Sequence, residues 1–126
     1  MPKIYFKIIV AVVFTLLSNN ALCSYINVNG SIHVAENTYL HFAALHNNVE
    51  SAKALLNYGA NINKKDSNGN TALHHAAISG HRNIVTLLLG RKADPCIRNK
   101  QGRTPYDLAI QKKHTQIADL LTECLL

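Results

Sequence analysis

Residues 71–93 read TALHHAAISGHRNIVTLLLGRKA, and the reading of this stretch decides the fold. Three histidines, His74, His75 and His81, lie among small apolar residues. Such a cluster suits a metal site, a catalytic site or a structural network, and the stretch alone does not choose between them. Its periodicity does say what it folds into. Thr71 suits a helix N-cap, where a hydroxyl accepts an orphan backbone N–H. Leu73, Ala76 and Ala77 follow at helical spacing. Gly80 allows a left-handed turn, and Ile84, Val85, Leu88 and Leu89 give a second helix one apolar face.

Sliding the sequence by 33 residues brings the same pattern back. Thr38, Thr71 and Thr104 align, as do Ala43, Ala76 and Ala109, and Leu55, Leu88 and Leu121. Segments 38–70 and 71–103 share nine of 33 positions, where chance gives about two. Segment 104–126 keeps six of 23 from the second copy. A fixed period of this size marks a stacked repeat array. Each unit reads as two short helices and a turn. Between units, Asp66 to Gly69 and Asn99 to Gly102 carry turn chemistry, and Pro95 bars helix. The predicted core is Leu40, Ala43, Ala44, Leu55, Leu56, Leu73, Ala76, Ala77, Ile84, Val85, Leu88, Leu89, Ala109, Ile117 and Leu121.

DSNGNTALHHAAISGHRNIVTLLL (66–89) resembles the ankyrin repeat, whose signature centres on Thr-Pro-Leu-His-x-Ala, Gly-His and Ile-Val-x-x-Leu-Leu. The resemblance covers residues 38–126. The last copy, TPYDLAIQKKHTQIADLLT, has Asp107 where the others have histidine, and Thr122 where they have Leu56 and Leu89. It implies an all-α solenoid of about three helix–turn–helix units: 38–70, 71–103 and 104–126, with 24–37 as a linker or cap. Three departures strain the pattern. Asn47 and Lys113 occupy the Gly80 position, and Lys92 occupies that of Gly59. A left-handed backbone disfavours non-glycine residues by about 1 kcal/mol. Gly90 offers an earlier helix end, so local irregularity is expected over Gly90 to Ala93.

The resemblance implies structural histidines. The first of each unit, His41 or His74, bonds backbone and the threonine hydroxyl, and His81 or His114 bridges units. Physical chemistry agrees, because a polar ring beside a packed alanine face must be hydrogen-bonded. A metal site needs ligands converging on one point, and adjacent residues such as His74 and His75 point different ways on a helix. No metal or cofactor is expected. Catalytic motifs are also missing from the sequence. GRKADPC lacks a phosphate-loop ending, and no His-Glu-x-x-His occurs. Cys96 sits in a turn without a motif around it, and Asp107 and Asp119 fall on different helices. The expectation is a protein that is not an enzyme.

The N-terminus reads as a targeting segment. Lys3 and Lys7 precede the apolar run Ile8 to Leu17, and Ala21-Leu22-Cys23 offers a cleavage site. This order is that of a secretory signal peptide, residues 1–23, cut after Cys23. A run of ten residues, apolar apart from Thr15, is too short for a membrane span, which needs about 20, so no stable membrane insertion is expected after cleavage. The predicted localisation is secreted or periplasmic. Asn29-Gly30-Ser31 is a glycosylation sequon, relevant only in a eukaryotic secretory route. Formal charge falls from +6 to +4 once Lys3 and Lys7 are removed. Cys96 and Cys124 remain. Export permits a disulfide, but two cysteines are no framework, and separate thiols are expected.

Stacked units present an extended concave surface. The resemblance places partner contacts on turn tips and on the exposed side of each first helix. Those positions are Asn37, Leu45 and His46 in the first unit, and Ser67, Asn68, Asn70, Ile78 and Ser79 in the second. The third unit supplies Lys100, Gln101, Arg103, Gln111 and Lys112. Leu45 and Ile78 align as apolar residues and suggest a contact ridge. The C-terminal half is basic, with Arg91, Lys92, Arg98, Lys100, Arg103, Lys112 and Lys113 against Asp94 and Asp107. A plain solvated face comes first for that excess, an acidic protein partner second and nucleic acid third, since no aromatics are interleaved for stacking. The expected function is an exported, non-catalytic protein-binding module of unknown oligomeric state. The alternative is a periplasmic structural or chaperone-like stabiliser of a resident protein. The abundance of Asn, Ile and Lys resembles the small ankyrin-repeat proteins of intracellular bacteria.

Overall fold

The structure is a computed structural model and describes residues 39–125. The expected signal segment 1–23, the linker 24–37 with its sequon, and Asn37 and Thr38 lie outside the described residues. Among those described, six α-helices form three pairs: α1 (Tyr39–Leu45) with α2 (Val49–Asn57), α3 (Ala72–Ser79) with α4 (Arg82–Gly90), and α5 (Pro105–Gln111) with α6 (Thr115–Leu120). A 3-10 turn, Thr122–Leu125, follows α6. The first helices α1, α3 and α5 pack in sequence as one layer, and α2, α4 and α6 as a second. This is the all-helical solenoid the period predicts. No described helix is long and apolar enough to cross a membrane.

Helix starts follow the sequence signals. Thr104 caps α5 with a reciprocal bond pair, its backbone N–H donating to Asp107 Oδ2 at 2.9 Å and its hydroxyl accepting from Asp107 N–H, while Pro105 supplies the first helical residue. In the second unit His74 replaces the carboxylate: Thr71 N–H donates to its Nδ1 at 3.0 Å. The short link between paired helices takes positive φ at one register, Asn47 (56°), Gly80 (78°) and Lys113 (63°). The next backbone N–H closes each link identically, from Asn48 to Ala43 O, His81 to Ala76 O and His114 to Ala109 O.

The irregularity expected near Gly90 does not occur. α4 ends at Gly90, the position of Asn57 in α2, so it is no shorter than its counterpart. Lys92 adopts φ 65° where Gly59 has 87°. Ala93 N–H reaches Leu88 O at 2.9 Å, as Ala60 reaches Leu55 O at 3.0 Å. The same closing bond and a buried Ala93 hold Lys92 in a backbone region that its side chain disfavours.

Between units the chain makes a tight turn built on one side chain. Asp66 Oδ1 accepts from Asn68 N–H and Asn70 N–H at 2.9 and 2.8 Å. Asn99 Oδ1 does the same for Gln101 and Arg103, both at 3.0 Å. The two turns dock on each other through Lys100 N–H to Asn68 O at 3.0 Å and Asn99 Nδ2 to Asn70 Oδ1 at 2.9 Å. Gly69 is required there: a Cβ would lie 2.9 Å from Lys100 N.

Leu40, Leu73, Ile84, Val85, Leu88, Ile117 and Leu121 form the buried core with the aligned alanines. Leu56 and Leu89, expected within it, are only partly buried. Each second helix has a single layer to pack against, so its apolar stripe extends past the contact. Ala52, Ala72, Ala93, Leu108 and Ala118 are buried as well. Leu125 is 59% exposed.

Cys96 and Cys124 form a disulfide, with Cα atoms 5.2 Å apart, which corrects the expectation of separate thiols. The reason is the stacking itself. α4 and α6 lie side by side, so the chain leaving α6 runs back beside the chain leaving α4. The 3-10 turn then carries Cys124 to the loop that holds Cys96.

Candidate protein-binding surface

Each described candidate residue sits on the first-helix layer or on the turns. Leu45 ends α1 and is 41% exposed. His46 is exposed beside it, its ring stacked parallel to that of Phe42 at 6.5 Å. Ile78 and Ser79 end α3 and are half-buried. Gln111 and Lys112 take the same places at the end of α5 and are exposed. Along the turns Ser67, Asn68, Lys100, Gln101 and Arg103 are exposed, and Asn70 is half-buried. The structure therefore brings the expected residues onto two parallel rows, one of helix ends and one of turn tips. It also shows that Asn70 is largely engaged internally. Its carbonyl accepts from His41 at 3.0 Å and its side-chain oxygen from Asn99. Asn68 has its carbonyl committed to Lys100 N–H, which leaves its side chain for a partner.

The histidines set the geometry of both rows. Because Thr71 N–H donates to His74 Nδ1, that nitrogen is unprotonated, and Nε2–H donates to Arg103 O at 3.1 Å. The Thr71 hydroxyl also bonds Nδ1 at 2.9 Å. His41 Nε2–H donates to Asn70 O one unit earlier. At the helix ends, His81 Nε2 bonds Leu45 O at 3.0 Å and His114 Nε2 bonds Ile78 O at 3.2 Å. His81 and His114 thus tie their own unit to the preceding one, while His41 and His74 tie the start of their unit to the turn that closes it. His41 and His74 hold turn tips, while His81 and His114 hold helix ends. This is the structural role that the repeat pattern implies.

His75 departs from the repeat. Its Nε2–H donates to Asp66 Oδ2 at 2.7 Å, and its ring meets His41 edge to face, centroids 5.4 Å apart. His41, Asp66 and His75 offer one ligand atom each within 4.8 Å of one another, a juxtaposition that sequence reasoning missed. The third unit has Leu108 in place of His75, so nothing in the period signals it. The donor types suit a metal, but His41 Nε2 and His75 Nε2 both serve as N–H donors here. A cation at those nitrogens would displace both protons and both bonds, so the trio acts as a hydrogen-bond network.

These contacts carry a pH dependence. Burial pushes the imidazole of His74 below its ordinary value of 6.5, and its bond to Arg103 O and Asp66's charge offset this only in part. His41 is lowered in the same way, by burial first, with the Asn70 bond, His75 and Asp66 as smaller influences. Burial raises the Asp66 carboxyl, but the bonds from His75, Asn70 and Asn68 outweigh it and bring the net value below 3.8. A histidine lowered in the fold binds its proton more readily when unfolded. Its stabilising effect is complete above about 6.5 and is lost as pH falls from there through the depressed value. The Asp66 contribution is lost lower still, as pH falls below about 3.8. Stability should decline between pH 7 and 5 with a slope of up to about 1.4 kcal/mol per pH unit for each buried histidine. Urea midpoints measured across that range check it, and a His41→Gln/His74→Gln variant should show a flatter profile. A parent profile that is flat from pH 7 to 5 would remove the argument.

A sequence profile described as ankyrin repeats (3 copies) matches residues 9–99 and 40–125. Human protein phosphatase 1 regulatory subunit 27 is 36% identical over 90 residues, 71% of this chain and 58% of that protein. Mouse rabankyrin-5 is 34% identical over 85 residues, 67% of this chain and 7% of its own length. Serine/threonine-protein kinase 12 of Arabidopsis thaliana is 35% identical over 82 residues, 65% of this chain and 18% of that protein. The chain belongs to the ankyrin-repeat family. It spans under two thirds of the length of these relatives, and the similarity with them lies in the repeat.

Proposed function

We propose that this protein is an exported, non-catalytic binding module whose partner protein docks on the first-helix ends and turn tips. Ankyrin repeats indicate protein–protein interaction. The relatives carry dissimilar names, a phosphatase regulatory subunit and a kinase among them, so their similarity supports the mode of action and no single partner. The observation that carries the reading is Leu45. It is a large apolar side chain, 41% exposed, in register with Ile78 on the layer that ankyrin proteins present. The four histidine ties hold that layer rigid, so little freedom is lost on binding. Export is supported by Lys3, Lys7 and the apolar run Ile8 to Leu17, and by a disulfide that suits an oxidising compartment.

Partner capture from an extract of the source, followed by mass spectrometry, tests the reading. Truncating apolar anchors at an interface weakens binding by more than about 1 kcal/mol each. The Leu45→Ala/Ile78→Ala variant should therefore hold its partner at least about tenfold more weakly, with helical content retained by circular dichroism. Capture that is indifferent to both residues would remove this surface from consideration.

A further inference from the structure

We propose that the exposed cations along the turn edge of the array, Lys65, Arg98, Lys100 and Arg103, bind an acidic segment of the partner protein. This rests on the binding-module reading above and adds the partner's chemistry to it. The first observation is continuity. Lys65 Nζ donates to Arg98 O at 3.4 Å, Arg98 Nη1 to Gly102 O at 2.7 Å, and Arg103 Nη1 to Gln111 Oε1. The backbones beneath are locked by the Lys100–Asn68 and Asn99–Asn70 bonds. These cations therefore stand on one docked pair of turns and not on independent loops.

The second observation is that none of the four is ion-paired. Among the described residues the one ion pair that involves a lysine or arginine is Lys53 with Glu50. Of the carboxylates nearest along the chain only Asp66 is buried, and the exposed Asp94 and Asp107 each accept a local backbone N–H and pair with none of the four cations. Asp66 holds its own turn and His75. Asp94 accepts from Cys96 N–H at 2.9 Å, and Asp107 accepts from Thr104 N–H. A rigid row of like charges without ion-pair partners attracts an oppositely charged surface, and such complementarity fixes register and raises the association rate.

The third observation selects carboxylates over nucleic acid. Residues 64–72 and 97–105, which form the edge, contain no aromatic side chain, so bases would have nothing to stack on. Spacing defines the segment further. Lys65 and Arg98 are equivalent positions of successive units. Packed helices lie about 8–10 Å apart, which an extended chain covers in about three residues. The ligand is thus an extended stretch with a carboxylate at about every third residue.

The test is fluorescence anisotropy of the full chain with labelled (Glu-Gly-Ser)6, its isostere (Gln-Gly-Ser)6, and (dT)7, which has as many charges as the acidic peptide. At 0.15 M salt the acidic peptide should bind at least tenfold more tightly than either alternative. Lys65→Gln/Arg98→Gln/Lys100→Gln/Arg103→Gln should lose at least tenfold. Lys53→Gln/Arg82→Gln/Arg91→Gln/Lys92→Gln, which removes as many charges elsewhere, should lose less than threefold. Thermal melts of both variants show that each is folded. Equal losses in the two variants, no preference for Glu over Gln, or tighter binding of (dT)7 would overturn the inference. If it is overturned while partner capture still depends on Leu45 and Ile78, the binding-module reading stands without its acidic ligand. Loss of the Leu45 and Ile78 dependence removes that reading instead.

Discussion

Reduction of the Cys96–Cys124 disulfide should lower the stability of this fold by about 3–4 kcal/mol. The two cysteines are 28 residues apart in sequence, and in the chain-entropy account a loop of that size restricts the unfolded chain by that amount. The native side of the equilibrium points the same way. Among the described residues α6 is the shortest second helix, and it passes straight into the 3-10 turn. Without the cross-link that segment would be held chiefly by Ile117, Ala118 and Leu121. Domains of this size gain or lose about 4–8 °C in melting temperature per kcal/mol, so the shift is on the order of 15–25 °C. Thermal melts with and without dithiothreitol measure it. Cys96→Ser and Cys124→Ser variants should each melt like the reduced parent and ignore the reductant. If mass spectrometry shows the bond reduced and the melt does not move, the cross-link has no stabilising role.

That cross-link also shows where sequence reasoning stops. The 33-residue period made the units, the paired helices and the histidine ties legible, because each depends on residues at a constant offset. His41 and His74 sit at one register and reach the turn that closes their own unit, and His81 and His114 sit at another and reach the preceding unit. Even Lys92 was legible as an occupant of a left-handed position, and its repeat context explains why the expected irregularity is absent. What breaks the period was not legible. Cys124 falls in the 3-10 turn that replaces regular helix after α6, so its distance from Cys96 depends on the path of the chain end. The Asp66–His75 bond joins the first unit to the second and has no counterpart between the second and third, where Asn99 and Leu108 stand. Among the candidate contacts, the exposed row was readable from the repeat register. The internal engagement of Asn70 was not, because it arises from turns docking on one another. Arg98 was counted only in the basic excess and Lys65 not at all, because charge counts do not show which cations the docked turns bring together.

Leu88→Ala should lower stability by about 2–5 kcal/mol, the largest effect expected of one substitution. Leu88 is 0% exposed in α4, the middle second helix, which packs against α2 and α6 as well as α3. Truncation removes buried methyl groups and leaves a space that the surrounding helices fill only partly. In a stacked array, stability is roughly a sum of unit terms and nearest-neighbour interfaces. A cavity in the middle unit therefore weakens two interfaces together. Leu56 supplies the comparison. It is an equally large side chain, but it is only partly buried and belongs to a flanking unit, so Leu56→Ala should have a clearly smaller effect. Urea titrations decide the matter, with a lowered midpoint and an unchanged slope expected for Leu88→Ala. If both variants unfold at the parental midpoint, the second unit does not pack in this register. If Leu56→Ala proves the more damaging, the core is centred on the flanking unit and not on α4. A shallower slope for Leu88→Ala would mean that the units no longer unfold together. The middle unit would then be the coupling element of the array, and the two rows of the binding surface would keep their alignment only while α4 stays packed.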